Sequence, residues 1–362
     1  MKCNNTVTPG RMGPAIVLVN NGLIEDIVEK MPANIHTDCI DIGDKVLLPG
    51  FVDTHVHINE PGRTEWEGFN TATRSAIAGG ITTLVDMPLN SSPVTTSVAS
   101  FQFKLEAAKE HLHAHCGFWA GVVPGNHQEI AGLIQAGVFG FKAFLSPSGI
   151  VDFPNVNESD LSRVMPLIAR HRLPLLVHCE LEDTAGLPLQ KDPFSYYEYL
   201  ASRPPAWEHN AVALMTRLCE TYNCRVHIVH ISSAGSLKII ENAKAKGLPL
   251  TAETAQHYLY FEAENISNGR TEFKCAPPIR DRANNDLLWK GLENGTIDFV
   301  ATDHSPAPPE LKQIQTGDFT RAWGGIASLQ FAFPALWTEA KKRNFSLVDV
   351  CAGLSEKPAL LA

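Results

Sequence analysis

From Phe51 onward, short apolar runs alternate with longer stretches in which apolar residues recur at helical spacing. Continuous apolar runs of about four to eight residues, bounded by turn residues, are typical of buried strands. The pattern predicts eight strands, over residues 51–57, 81–87, 116–123, 139–145, 173–179, 224–231, 248–254 and 297–304. Eight strands with intervening helices favour a closed (β/α)8 barrel, the TIM-type α/β fold, over an open doubly wound sheet.

The N-terminal region follows a different pattern. Residues 15–50 contain short β-branched runs separated by Asn-Gly, Pro and Gly-Asp turn signals, which predict a small β element. The preceding MKCNNTVTPGRMGP is too irregular to predict a clean first strand. We therefore expect residues 1–50 to form a small, incomplete β-sandwich with an exposed edge, and residues 51–362 to form the barrel.

Composition narrows the class of protein. Hydrophobic residues make up 44% of the 362 residues and charged residues 19%, which allows a large core and argues against disorder. The net charge of -9, without a basic tract, argues against a nucleic-acid groove, and no apolar run approaches the roughly 18 residues of a membrane helix. The eight dispersed cysteines and the absence of an apolar signal core favour the cytoplasm, with the peroxisome as an alternative.

Residues able to bind metal lie at the C-terminal ends of the predicted strands, where the catalytic groups of such barrels sit. Each alone has an ordinary structural explanation, but their common placement on five strands predicts a metal site. The set comprises His55, His57, Lys142, His178, His230 and Asp303.

His55 and His57 are two residues apart on a strand and so face the same side, where they can share an ion.

Other histidines receive a structural interpretation. The HLHAH segment at 111–115 is interpreted as a solvated connection between a helix and a strand. His227 is three residues before His230, and we expect it on the opposite face of its strand.

Lys142 is the most informative of these residues because an ammonium inside the apolar strand FGFKAFL is costly to bury. One explanation is an ion pair with Asp303. The other is that the neutral amine reacts with CO₂ to give a carbamate, whose two oxygens can bridge two divalent ions. Zn²⁺ suits the resulting set of imidazole nitrogens and carboxyl oxygens.

Several motifs, taken in order, resemble the cyclic amidohydrolases of the amidohydrolase superfamily. They are LLPGFVDTHVHINEPGR, GGITTLVDMPLN, GFKAF, VHCE, VHIVHISS, KCAPPIRD and ATDHSPAPPE. The resemblance runs from about Val46 to Leu361 and implies a barrel with a bridged two-metal centre that hydrolyses one amide bond of a five- or six-membered ring. It implies the six residues above as ligands, with Lys142 carboxylated, Asp303 as the proton-transferring residue, and a homotetramer.

Within this family, MPLN, ASRP, HISSAGS and AWGGIASLQ most resemble the allantoinase branch, which implies opening of allantoin to allantoate in purine catabolism. Two departures from sister enzymes agree with this. Asn59 stands where similar dihydroorotases carry an arginine for the substrate carboxylate, which suits an uncharged ring. Pro147 stands where hydantoinases and dihydropyrimidinases place an oxyanion-binding tyrosine.

The resemblance places substrate contacts at Asn90 and at backbone groups near Ala276 and Gly324. A turn-forming role for Asn90, before Ser-Ser-Pro, is the alternative. A hydantoinase, dihydropyrimidinase or dihydroorotase activity remains an alternative function, as does a non-catalytic scaffold. The family's sandwich usually has a further segment after the barrel, and the chain ends at LSEKPALLA before it, so we expect lowered stability.

Overall fold

A four-stranded sheet begins the chain in the computed structural model, which describes residues 1–33, 37–185 and 190–362. Its strands are β1 (Lys2–Thr8), β2 (Arg11–Asn20), β3 (Leu23–Val28) and β4 (Asp41–Leu47), in the order β3-β2-β1-β4. β1 pairs antiparallel with β2 and parallel with β4. β3 lies at one edge, where Leu23 and Ile24 are 73% and 66% exposed. These two apolar side chains lie on an exposed edge of the sheet.

The first strand corrects the expectation from sequence. Residues 2–8, described above as too irregular for a strand, form β1 between β2 and β4. The register of β1 shifts between Cys3 and Thr6, and this irregularity breaks the period-two alternation by which strands are recognised. Cys3, Thr6 and Val7 are nevertheless buried, and the Cys3 thiol lies 3.1 Å from the carbonyl oxygen of Lys45 in β4.

A parallel barrel follows, and all eight predicted strands are confirmed. They are β5 (Phe51–Val56), β6 (Ile81–Asp86), β7 (His115–Phe118) with β8 (Ala120–Gly121), β9 (Phe141–Phe144), β10 (Pro174–His178), β11 (Arg225–Ile228), β12 (Leu250–Ala255) and β13 (Phe299–Ala301). β7 and β8 are two parts of one predicted strand, interrupted at Trp119. The barrel closes between β5 and the residues after β13, where the His57 N–H donates to the His304 carbonyl at 2.8 Å.

Helices connect the strands on the outside of the barrel. Their bounds are α1 Phe69–Ala78, α2 Val98–Ala108, α3 Ile130–Ala136, α4 Glu158–Arg170, α5 Tyr196–Ala201, α6 Pro205–Tyr222, α7 Leu237–Ala245, α8 Gln256–Tyr260, α9 Arg282–Glu293, α10 Ala332–Lys342, α11 Leu347–Cys351 and α12 Lys357–Ala359. α4 begins with a capping box, in which Asn157 accepts from the Asp160 N–H. Within the described residues, none of the helices has the length and apolarity that crossing a membrane requires.

The core of the barrel is apolar and lies beneath the C-terminal mouth. Buried side chains from the strands pack against those of the surrounding helices, for example Leu175 and Val226 against Val164 and Met215. The HLHAH segment follows α2 and its last histidine is the first residue of β7; all three of its histidines are exposed, as expected.

Candidate metal centre and substrate cavity

The six predicted site residues lie at the C-terminal mouth of the barrel and are all buried. His55 and Lys142 lie within β5 and β9, His178 is the last residue of β10, and His57 directly follows β5. His230 and Asp303 come two residues after the ends of β11 and β13, with φ angles of 38° and 47°. Such left-handed conformations cost about 1–3 kcal/mol in non-glycine residues, so the surrounding structure must hold them in place.

Asp303 brings the two histidines of the first strand together. Its Oδ1 lies 3.1 Å from Nε2 of His55 and 3.5 Å from Nε2 of His57. Burial opposes ionisation of Asp303, but the nearby histidines outweigh it and hold the pKa of this carboxyl well below its usual range. Burial likewise opposes charging of His55, but Asp303 and Glu253 outweigh it and raise the pKa of this imidazole.

His178 and His230 form a second pair. Nδ1 of His178 lies 3.0 Å from Nε2 of His230, and the ring of His178 stacks on Phe144 with centroids 4.7 Å apart. Burial lowers the pKa of both imidazoles, that of His230 well below its usual value, and each neighbouring positive charge lowers it further. The pair is therefore neutral at ordinary pH, with lone pairs available to a cation.

Lys142 is buried near both pairs of histidines. Its Nζ is buried without a hydrogen-bond partner among the described residues and lies 5.0 Å from the centroid of the Phe144 ring. No ion pair between Lys142 and Asp303 is formed among the described residues, so the ion-pair explanation finds no support. Burial lowers the pKa of Lys142 to about 8, against the opposing effect of Asp303 and Glu253, so the neutral amine is accessible.

Two buried glutamates support these histidines, and the sequence analysis missed both. Oε1 of Glu253, in β12, lies 2.5 Å from Nδ1 of His55, and Oε2 of Glu180 lies 2.8 Å from Nε2 of His178. The signal that reveals them is the one used for Lys142, a charged residue in an apolar strand or directly after one, in LTAETA and LLVHCE.

The expected orientation of His227 is wrong. Its Nε2 lies 3.1 Å from Oε2 of Glu253, and its Nδ1 lies 2.8 Å from the Thr251 hydroxyl, so it shares the buried interior with His55. The expectation extended the strand alternation as far as His230. β11 ends at Ile228, however, and the left-handed backbone of His230 interrupts that alternation.

A cavity of about 310 Å³ opens beside the site, and Asn90, Ala276 and Gly324 all line it. His57, His178, His230 and Asp303 line it as well, together with Pro147 and Arg203. Asn90 also accepts a hydrogen bond at its carbonyl oxygen from Arg63, so a positioning role in its loop accompanies its place in the cavity wall. Asn59 is buried outside this lining, with its Nδ2 donating to the Pro306 carbonyl at 3.5 Å.

Comparison with known proteins identifies the family. The model of the amidohydrolase family matches residues 46–361. The chain belongs to the amidohydrolase family. It is 48% identical to the allantoinase of Streptomyces avermitilis over 364 residues, covering 100% of this chain and 81% of that protein. The allantoinase of Arabidopsis thaliana is 44% identical over 375 residues, covering 98% of this chain and 74% of that protein.

Solved structures agree with this membership of the amidohydrolase family. The L-hydantoinase (dihydropyrimidinase) of Arthrobacter aurescens superposes with a TM-score of 0.87 at 28% identity, covering 99% of this chain and 80% of that chain. The family is one of hydrolases with a binuclear divalent metal site. The residues present fit such a site, because donor atoms of His55, His230 and Asp303 lie within 4.8 Å of one another and the buried Nζ of Lys142 lacks a hydrogen-bond partner among the described residues.

Proposed function

We propose that this protein hydrolyses the cyclic amide bond of allantoin to give allantoate. The observation that carries the proposal is the 48% identity to an allantoinase over the whole chain, with the six expected ligand residues at one barrel mouth. The cavity beside them, at about 310 Å³, is within the range typical of small-molecule sites.

We further propose two zinc ions as the cofactor. His55, His57 and Asp303 would hold one ion, His178 and His230 the other, and a carboxylated Lys142 would bridge them. When bound, two such ions polarise a carbonyl group and lower the pKa of a bound water. The lowered pKa of Lys142 supports the carbamate, because it increases the fraction of unprotonated amine, which is the form that reacts with CO₂.

Asp303 is the proposed proton-transfer residue. The oxygen of a water molecule forms a bond to the ring carbonyl carbon, and the proton released goes to a carboxylate oxygen of Asp303. The carbon–nitrogen bond of the ring then breaks, and Asp303 returns the proton to the leaving nitrogen. The nearby histidines hold the pKa of Asp303 well below its usual range, so its carboxylate is ionised before the reaction.

The cavity wall gives a further indication of which ring is bound. Pro147 lines the cavity at the position where hydantoinase-type enzymes are expected to place a tyrosine, which favours a different mode of substrate binding. Asn59 lies outside the lining, so its neutral side chain does not bear directly on the choice of ring. We propose that Asn90 and the backbone at Ala276 and Gly324 contact the substrate.

The test is ring opening by the purified, zinc-loaded protein on allantoin, dihydroorotate, hydantoin and dihydrouracil, with bound metal measured in the same samples. We expect turnover of allantoin and little of dihydroorotate. Turnover of dihydroorotate with none of allantoin would contradict the proposal, and a folded protein that binds no metal would favour the scaffold. Asp303→Asn is the control for activity that does not come from this site.

The oligomeric state, the cellular compartment and the division into two units are also proposed. We propose a homotetramer in the cytoplasm, and a catalytic unit that spans residues 51–362 beside a small N-terminal unit of residues 1–50. Sedimentation of the purified protein checks the first, and a dimer or monomer would contradict it. Imaging of a tagged protein in cells checks the compartment, and proteolysis that releases an intact 51–362 fragment checks the division.

A further inference from the structure

Two carboxylates outside the expected ligand set each join one candidate ligand histidine to a further side chain. One group, here called the barrel-core triad, consists of His55, Glu253 and His227. The other, here called the cavity triad, consists of His178, Glu180 and Arg203. Neither glutamate nor its second partner is among the ligands that the family resemblance implies.

The barrel-core triad is enclosed. The side chains of His55, Glu253 and His227 have no exposed surface. Glu253 lies 2.5 Å from Nδ1 of His55 through one oxygen and 3.1 Å from Nε2 of His227 through the other. Since Nδ1 of His55 is occupied by Glu253, its Nε2 is the nitrogen that faces Asp303.

In the cavity triad the glutamate contacts Nε2 of its histidine, whereas in the barrel-core triad it contacts Nδ1. Glu180 lies 2.8 Å from Nε2 of His178 and forms two hydrogen bonds with Arg203, one of them 3.1 Å long from Nε. Nδ1 of His178 is therefore the nitrogen that faces His230, at 3.0 Å. Arg203 also lines the cavity, so this triad connects a candidate ligand to the space where the substrate would bind.

We infer that Glu253 and Glu180 are positioning residues that fix opposite imidazole nitrogens, Nε2 of His55 and Nδ1 of His178, toward two different metal ions. The inference rests on the proposed two-metal centre and is independent of the identity of the substrate. A carboxylate that accepts the second N–H of a ligand histidine fixes the ring and its tautomer, and its loss typically weakens metal binding about 10- to 100-fold. Each glutamate therefore acts on one ion.

The competing explanation is that both glutamates only stabilise the folded barrel. Glu208 offers a matched control for this, because it is also buried and also binds an arginine, at 2.6 Å from Arg280. Its carboxylate accepts from the N–H groups of Ser232 and Ser233 and contacts none of the six candidate ligands. Glu208→Gln therefore reports the general effect of neutralising a buried glutamate.

The experiment titrates metal-free protein with Zn²⁺ against a colorimetric chelator, with bicarbonate present, for Glu253→Gln, Glu180→Gln and Glu208→Gln. Circular dichroism and thermal unfolding establish that each variant is folded. We expect Glu253→Gln and Glu180→Gln each to lower the affinity for one of the two zinc ions about 10- to 100-fold. Glu208→Gln should lower the affinity for neither ion.

Double variants identify the affected ion. In His230→Ala, the ion that is still bound tightly should occupy the site of His55 and His57. Adding Glu253→Gln to this variant should lower the affinity for that ion, whereas adding Glu180→Gln should not. In His57→Ala the order is reversed. Wild-type affinity for both ions in either folded glutamine variant overturns the inference, and so does equal weakening in Glu208→Gln. Failure of the wild-type protein to bind zinc contradicts the proposed function instead.

A second measurement keeps the inference testable if a glutamine variant does not fold. Nitrogen-15 spectra of histidine-labelled wild-type protein with zinc report which ring nitrogen carries the proton. We expect a proton on Nδ1 of His55 and on Nε2 of His178, with signals assigned by single histidine variants. The same tautomer at both residues would contradict the inference.

Discussion

The barrel-core triad and the cavity triad use the same chemistry in two different environments. In each, a buried glutamate lies between a candidate ligand histidine and a second polar side chain, within 2.5 Å of His55 in one and 2.8 Å of His178 in the other. The second partner differs: His227 is enclosed, whereas the Arg203 side chain is 19% exposed and lines the cavity. One candidate ligand histidine is therefore held by the protein interior alone, and the other through a residue that lines the cavity.

Lys142→Ala should have the largest effect, because it removes the side chain expected to serve both ions. We expect activity to fall at least about 1000-fold, since loss of metal-assisted catalysis costs several kcal/mol of transition-state stabilisation. Steady-state rates and bound zinc measure this. A short carboxylic acid such as acetate should restore part of the activity, and full activity without it would show that no carbamate is needed.

Acid should destabilise both triads in the metal-free protein. Burial opposes ionisation of Glu253 and Glu180, but the histidines beside both and Arg203 beside Glu180 outweigh it and lower the pKa of each carboxyl from 4.5 to about 2. Between these pH values the unfolded chain binds more protons than the folded one, so the free energy of unfolding falls as the pH falls. Each glutamate contributes up to about 3 kcal/mol to this loss.

Urea unfolding at several pH values between 4.5 and 2 tests this. Glu253→Gln and Glu180→Gln should each give a shallower dependence on pH than wild type, even if both are less stable at neutral pH. Slopes identical to wild type in both variants would show that these carboxyls titrate normally.

Arg203→Met and His227→Gln should separate the two triads kinetically. Both should weaken one zinc ion about 10- to 100-fold, because each removes the partner that orients a glutamate. At saturating zinc, Arg203→Met should still raise KM because Arg203 lines the cavity, whereas His227→Gln should leave KM unchanged. An unchanged KM in Arg203→Met would show that the cavity triad, like the barrel-core triad, does not affect substrate binding.

Arg203→Lys should have the smallest effect. Lysine keeps the positive charge beside Glu180 but loses the two-point geometry of the guanidinium. We expect zinc affinity and kcat/KM to fall by less than about 10-fold, since one charge-assisted hydrogen bond remains. An effect as large as that of Arg203→Met would show that geometry, rather than charge, is what Glu180 requires.

The eight barrel strands could be predicted because a strand buried on both faces is a continuous apolar run. The ligand positions followed from metal-binding residues within or directly after those runs, as at His55 and Lys142. β1 was missed because a shift in its register hides its alternation.

The two triads depend on contacts between different strands, which a single sequence does not display. His227 was placed on the wrong face because β11 ends before the left-handed His230. Arg203 lies 23 residues from Glu180 along the chain, so nothing local joins them. Glu253 and Glu180 follow the same sequence pattern as Lys142, a charged residue within or beside an apolar strand. This pattern predicts a buried charge that needs a polar partner, for these two glutamates as for Lys142.

The most direct test of the two-metal account is the activity of metal-free protein during stepwise addition of zinc in the presence of bicarbonate and allantoin. The account predicts that ring opening reaches its maximum at two zinc ions per chain, and that Lys142→Ala shows no such rise. Full activity at one zinc ion per chain or without metal, in a folded protein, would contradict it.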